Sequence, residues 1–162
     1  MWIIDCDPTS PDYWKQVRAL AQSLVVGEKN LIANLANLSS LFFHTMPQLN
    51  WAGFYLWNEA DQELVLGPFQ GKPACIRIAP SRGVCGAAYR LKQNQRVDDV
   101  HAFPGHIACD SASRSELVIP LIQNGQCVGV LDLDSPNVAR FSLEDETQMS
   151  ALMLEMMKEL KF

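Results

Sequence analysis

Three cysteines, Cys75, Cys85 and Cys109, share one stretch of chain with Glu116, Asp132 and Asp134. Thiols beside carboxyl groups point to redox chemistry that moves protons. A thiolate attacks an electrophilic sulfur, a second thiol resolves the product as a disulfide, and a carboxyl group protonates a departing oxygen. The cysteines lie ten and then twenty-four positions apart, which fits no tight metal knuckle of the C-x-x-C kind. A zinc site of these cysteines completed by His101 or His106 is therefore a poor alternative. The local strings are GPFQGKPAC, SRGVCG, FPGHIACDSASRSE and GVLDLDS.

A chain of 162 residues with 48% hydrophobic content can bury one core and is short for two. We expect a single domain over 1–162. The net charge of −5 argues against nonspecific nucleic-acid binding, which needs a basic face. No apolar run approaches membrane-spanning length. The opening MWIIDCDPTS has acidic residues and no basic n-region, so it does not read as a secretory signal. The expected compartment is the reducing cytoplasm, where an odd set of five cysteines is catalytic, redox-active or buried rather than stapled.

The elements that must position these groups follow from periodicity. Ser10-Pro11 reads as an N-cap with proline at the first helical position, opening a helix from about Asp12 to Val26. Gly27 breaks it. A second helix runs from about Glu28 to Met46, with Leu31, Leu35, Leu38 and Phe42 at helical spacing, so that helices occupy 11–46. The period then changes. Strands are expected at Trp51 to Trp57, Glu63 to Phe69 and Cys75 to Ile78, a short helix at Val84 to Lys92, and a short strand near Arg96-Val97. The stretch from Asp98 to Ser113 has no periodicity, and a loop this long is usually functional. Leu117 to Ile122 and Val128 to Leu133 form a hairpin about Asn124-Gly125 and close the sheet region, 50–134. Ser142 with Asp145 caps a last helix to about Leu160, spanning 142–160, with Leu143, Met149, Leu152, Met153 and Met156 as its apolar stripe. This order defines an α+β fold: a mostly antiparallel sheet with helices packed on one face.

The order, together with NWAGFYL, LVLGPFQG, SRGVCG, HIACD, SELVIPL and GVLDLDS, resembles the GAF domain. More narrowly it is similar to the free methionine-(R)-sulfoxide reductases, stand-alone enzymes of GAF type, from roughly Glu28 to Glu159. The resemblance implies a central antiparallel sheet with the active-site loop opposite the helices. It implies that Cys109 attacks the sulfoxide and that Cys75 and Cys85 are further redox cysteines, with resolution open between them. It places Glu116, Asp132 and Asp134 in the acidic cluster that holds substrate and assists oxygen departure, and Trp51 and Tyr55 on the pocket wall around the substrate methyl group. Cys6 and Cys127 have no expected role. The implied partners are free methionine (R)-sulfoxide and a thioredoxin-type reductant, with no metal or organic cofactor. An apolar first helix is compatible with a homodimer. A non-catalytic GAF module binding a small molecule and a thiol redox sensor are the other readings. Sensors of the first kind are normally fused to an output domain; we expect none within these 162 residues, so a free-standing subunit is the form that reading would take.

The residues themselves add a geometric test. Asp132 and Asp134 are two apart on one strand and share a face, as do Trp51 and Tyr55 four apart. Cys109 needs a group that favours its thiolate, and His106 and Arg114 are the nearest cations. A two-residue Asn124-Gly125 turn that pairs 123 with 126 sets 116 opposite 133 and turns Glu116 away from the aspartates. A three-residue turn with Gly125 as the bulge sets 116 opposite 132 and brings the three acids together. Convergence requires the second, which we expect, with Cys127 then facing the other side as a packing residue.

Overall fold

The computed structural model describes residues 6–105 and 111–162. Cys109 and His106 lie outside the described residues. Six strands form one antiparallel sheet in the order β3-β2-β1-β6-β5-β4: β1 Trp51–Asn58, β2 Glu63–Gly71, β3 Arg77–Ile78, β4 Gln95–Val97, β5 Ser115–Gln123 and β6 Gln126–Ser135. Helices α1 (Tyr13–Val25), α2 (Leu31–Thr45) and α4 (Leu143–Met156) cover one face. Their residues Val17, Leu35, Leu38, Phe42, Leu152 and Met153 bury Ala52, Phe54, Leu117, Ile119, Leu131 and Leu133 of the central strands. The shorter α3 (Gly83–Leu91) packs on the opposite face with the loops. The expected α+β sheet, helices on one face and loops on the other, is the observed fold, with α3 joining the loops.

Several boundaries move for local reasons. Ser10 makes a turn ahead of α1, taking the Tyr13 amide on its carbonyl at 3.0 Å, and Asp12 stands at the N-cap with no side-chain bond. Asn30 caps α2 by accepting from the Ala33 amide at 3.0 Å. Cys75 lies two residues ahead of β3, in the connection, rather than opening that strand. Leu143 is 67% exposed. Six positions before Met149, it sits roughly 120° round the helix from the buried stripe. The capping box at Ser142 and Asp145 forms as expected, the hydroxyl accepting from the Asp145 amide at 3.0 Å.

The hairpin corrects the turn expectation. Asn124 and Gly125 both have positive φ, 52° and 78°. That is the two-residue turn whose twist matches the strands. Gln123 therefore faces Gln126 and Ile122 faces Cys127. The extra residue enters β6 instead: Leu121 faces Gly129, leaving Val128 as a bulge. Beyond it, Glu116 faces Asp134 and Val118 faces Asp132. The parity matches that expected, so the acids converge, although Glu116 lies opposite Asp134 and not Asp132. Because the bulge comes after Cys127, that residue does not face away: it sits with Trp57, Tyr89 and Lys92 on the α3 side.

Candidate active site

The face opposite α1, α2 and α4 carries Trp51, Gly53 and Tyr55 from β1, Val130, Asp132 and Asp134 from β6, and Glu116 and Val118 from β5. Register sets them: Trp51 pairs with Asp134, Gly53 with Asp132, and Glu116 with Asp134. A cleft of about 550 Å³, its open mouth included, is lined by Trp51, Tyr55, Cys85, Glu116, Asp132 and Asp134. Every described residue assigned to the site from sequence is therefore in this cleft or, like Cys75, packed beside it.

The cleft floor is a thiol among acids. Cys85, in the first turn of α3, donates from Sγ to Glu116 Oε1 at 3.9 Å. Ligand atoms of Cys85, Glu116 and Asp132 all lie within 4.8 Å of one another, and all three residues are buried. Desolvation, then the charges of Asp132 and Asp134, push the Glu116 carboxyl well above the ordinary range. Desolvation also raises Asp132 to about 6. Burial first, then the neighbouring carboxylates, hold the Cys85 thiol well above its usual value, so it stays protonated. Asp132 Oδ1 has no hydrogen-bond partner among the described residues. A dry site with three acids holds at least one proton it can give away and at least one negative charge that a cation would satisfy. A metal ion would first have to displace those protons.

The cleft wall is aromatic. Trp51 stacks on Tyr55 with ring centroids 5.9 Å apart, and on Phe69 at 5.3 Å. Gly53 makes this possible. A Cβ there would come within 2.4 Å of the Phe69 Cβ and 2.6 Å of the Trp51 ring. Sequence reasoning passed over Gly53, whose signal is a gap between two aromatics on one strand face. It also passed over Ser113 and Lys72, which line the cleft. Cys75 is disulfide-bonded, whereas Cys85 and Cys127 carry free thiols. Arg114, a candidate helper for a thiolate, holds Asp99 through one terminal guanidinium nitrogen at 3.2 Å, while its buried Nε has no partner among the described residues.

The sheet, its helices and this cleft can be set beside known proteins. The GAF domain family matches residues 33–156, so the chain belongs to that family. Protein YtsP of Bacillus subtilis is 53% identical over 84% of this chain and 81% of its own. A free methionine-R-sulfoxide reductase of Escherichia coli is 51% identical over 85% of this chain and 82% of its own. The crystal structure of a free methionine-R-sulfoxide reductase of Neisseria meningitidis in complex with its substrate superposes with a TM-score of 0.93 at 39% identity, over 98% of this chain and 95% of that one. Within the GAF proteins, the chain belongs to the free methionine-R-sulfoxide reductase family.

Proposed function

We propose that the protein is a thiol-dependent oxidoreductase that reduces free L-methionine (R)-sulfoxide to methionine. The observation that carries this reading is the buried Cys85–Glu116–Asp132 cluster at the foot of a stacked aromatic wall. It combines proton donor, cation site and apolar surface in one cleft. The substrate ammonium fits against Asp134 and Asp132, and its methyl group against Trp51 and Tyr55. A peptide-bound methionine has no ammonium to offer there, which gives the preference for the free amino acid. A site for its carboxylate is expected from backbone amides between β4 and β5.

Cys109 attacks the sulfoxide sulfur. Glu116, the acid held most firmly protonated, donates to the oxygen. Methionine leaves, and Cys109 is left as a sulfenic acid. Cys75 then condenses with it, giving a disulfide and water. A thioredoxin-type dithiol returns both cysteines to thiols. The disulfide engagement of Cys75 supports it as resolver over Cys85, whose thiol is buried among carboxyl groups that disfavour a thiolate. In this reading Cys85 serves as a neutral hydrogen-bond donor to Glu116. We further propose that the chain works as one domain, in the reducing cytoplasm.

The test is turnover of free methionine (R)-sulfoxide with a dithiol reductant, for the native chain and Cys109→Ser. The native chain should turn over, and the variant should lose at least about a thousandfold. No turnover of either epimer by the native chain would return the fold to a ligand-binding or redox-sensing role.

A further inference from the structure

Trp51 and Tyr55 do more than wall the cleft. Each points its polar end at the same short segment. Trp51 Nε1 donates to the carbonyl of Lys72 at 3.1 Å, and the Tyr55 hydroxyl donates to the carbonyl of Cys75 at 2.9 Å. Between these anchors lie only Pro73 and Ala74. The segment lies outside the strands, running from the end of β2 at Gly71 to the start of β3 at Arg77, with Ile76 tied back to β2 by accepting from the Leu66 amide at 2.9 Å. The anchors themselves are rigid. Both rings are buried, stacked at 24° to each other, and sit on the central strand β1 between β2 and β6. Burial pushes the Tyr55 phenol far above its usual range, so the hydroxyl keeps its proton and remains a donor.

We propose that Trp51 and Tyr55 are positioning residues for the resolving step, clamping the Lys72–Cys75 segment so that the Cys75 sulfur is presented to the oxidised cysteine. The proposal rests on the resolving role given to Cys75 above. In that step the Cys75 thiolate attacks the sulfenic sulfur. An S–S bond forms, the S–O bond breaks, and the oxygen leaves as water with the proton Cys75 gave up. No outside oxidant enters, because the sulfoxide has already supplied the oxidising equivalents. Disulfide formation tolerates little error in approach: the sulfurs must reach about 2.05 Å with a defined dihedral. A backbone carbonyl fixed one bond from the Cys75 Cα sets that approach more tightly than a loose loop can. One hydroxyl would thus couple the wall that holds the substrate to the loop that removes its oxidising equivalent.

The experiment is a single turnover of the full chain with stoichiometric methionine (R)-sulfoxide and no reductant, following two clocks. One is methionine release. The other is disulfide formation, read by acid quench, alkylation and mass spectrometry, with a 1,3-dione present in parallel runs to trap sulfenic acid. Tyr55→Phe keeps the ring and removes only the donor. It should slow the disulfide clock about tenfold relative to the methionine clock, the size expected for one lost bond that orients a reacting group. The trapped sulfenic acid should rise in step. Trp51→Phe, which loses the other anchor, should shift the ratio in the same direction. A disulfide that keeps pace with methionine release in both variants would overturn the clamp. So would an equal slowing of both clocks, which is what a damaged substrate wall produces. Cys75→Ser separates the two layers of the argument. A disulfide that still forms in that variant defeats the resolving assignment. A disulfide that is lost there, yet unslowed in Tyr55→Phe, defeats the clamp alone.

Discussion

The two faces of the same three strands are built on opposite principles. Toward α1, α2 and α4, strands β1, β5 and β6 present Ala52, Phe54, Leu117, Ile119, Leu121, Leu131 and Leu133, nearly all without exposure and none with a polar side-chain atom. Toward α3 and the cleft, the intervening positions present Trp51, Tyr55, Glu116, Asp132 and Asp134. Glu116 and Asp132 are each only 6% exposed, and one oxygen of Asp132 lacks a partner among the described residues. Burying such groups costs free energy that apolar burial must offset. Alternation along a strand lets neighbouring residues divide these tasks, so stability and chemistry should separate when adjacent positions are changed.

Leu131 and Asp132 are the sharpest pair for breaking this comparison. Leu131→Ala empties part of the helical face and should cost about 3 kcal/mol of stability in denaturant unfolding. Its kcat/KM, measured on the folded fraction, should stay within about twofold, the size of a surface effect. A Leu131→Ala protein that keeps its stability but loses turnover would show that the faces are not independent. Asp132→Asn should do the reverse. Turnover should fall about a hundredfold, as when a polar partner of the reacting groups is removed. Stability should hold or rise, because a neutral amide replaces a charge that burial disfavours. A clear destabilisation by Asp132→Asn would mean that the acids hold the fold together as well as the substrate.

The pH dependence of stability sharpens the same contrast. Asp132 is raised from its ordinary value of 3.8 to about 6 by burial, with Cys85 and Glu116 facing it and pulling the other way. A carboxyl raised on folding binds its proton more tightly in the folded state. Its contribution is therefore fully present below pH 3.8 and is lost as the pH rises through about 6. Glu116, raised in the same direction, extends the loss to higher pH. Relative to Asp132→Asn, the native chain should lose on the order of 1–2 kcal/mol between pH 4 and pH 7. Parallel unfolding midpoints for the two proteins across that range would remove Asp132 as a buried titrating group.

The helical face was the more legible half in the sequence, for a physical reason. Periodic apolar positions such as Leu35, Leu38 and Phe42 announce their own burial, and all three are at 0% exposure. The site's residue types were equally plain: thiols, three acids and two aromatics at shared-face spacing. What could not be read was register. Convergence of Glu116 with the aspartates depends on one extra residue, and nothing in QCVGVLD marks Val128 rather than Gly125 as the position that bulges. Burial of Cys85 was also hidden, because it depends on α3 folding across β5 and β6. The partners of Trp51 and Tyr55 lie in the connection from β2 to β3, where the sequence suggested a strand opening at Cys75, so the clamp on Lys72 and Cys75 has no sequence signal. Local chemistry is written locally, whereas geometry between strands is decided by contacts far apart in the chain.

The end of α4 gives the mildest test of whether the faces are separate. Ser142 and Asp145 satisfy two amides of the first turn through a reciprocal cap, and Arg140 adds an ion pair to Asp145 at 3.0 Å. That cap belongs entirely to the helical layer, since α4 lays Met149, Leu152 and Met153 on the face away from the cleft. Ser142→Ala removes one acceptor and should cost about 1 kcal/mol. Asp145 can still accept from the residue-142 amide, as it does now at 2.8 Å, so the helix should shorten by less than a turn. Turnover of methionine (R)-sulfoxide should be unchanged within error, and so should the ratio of the two single-turnover clocks. A change in either would mean that α4 transmits strain through β5, whose Glu116 sits at the far side of the sheet from it. The division of labour between adjacent residues would then hold for packing alone and fail for the precision of the site.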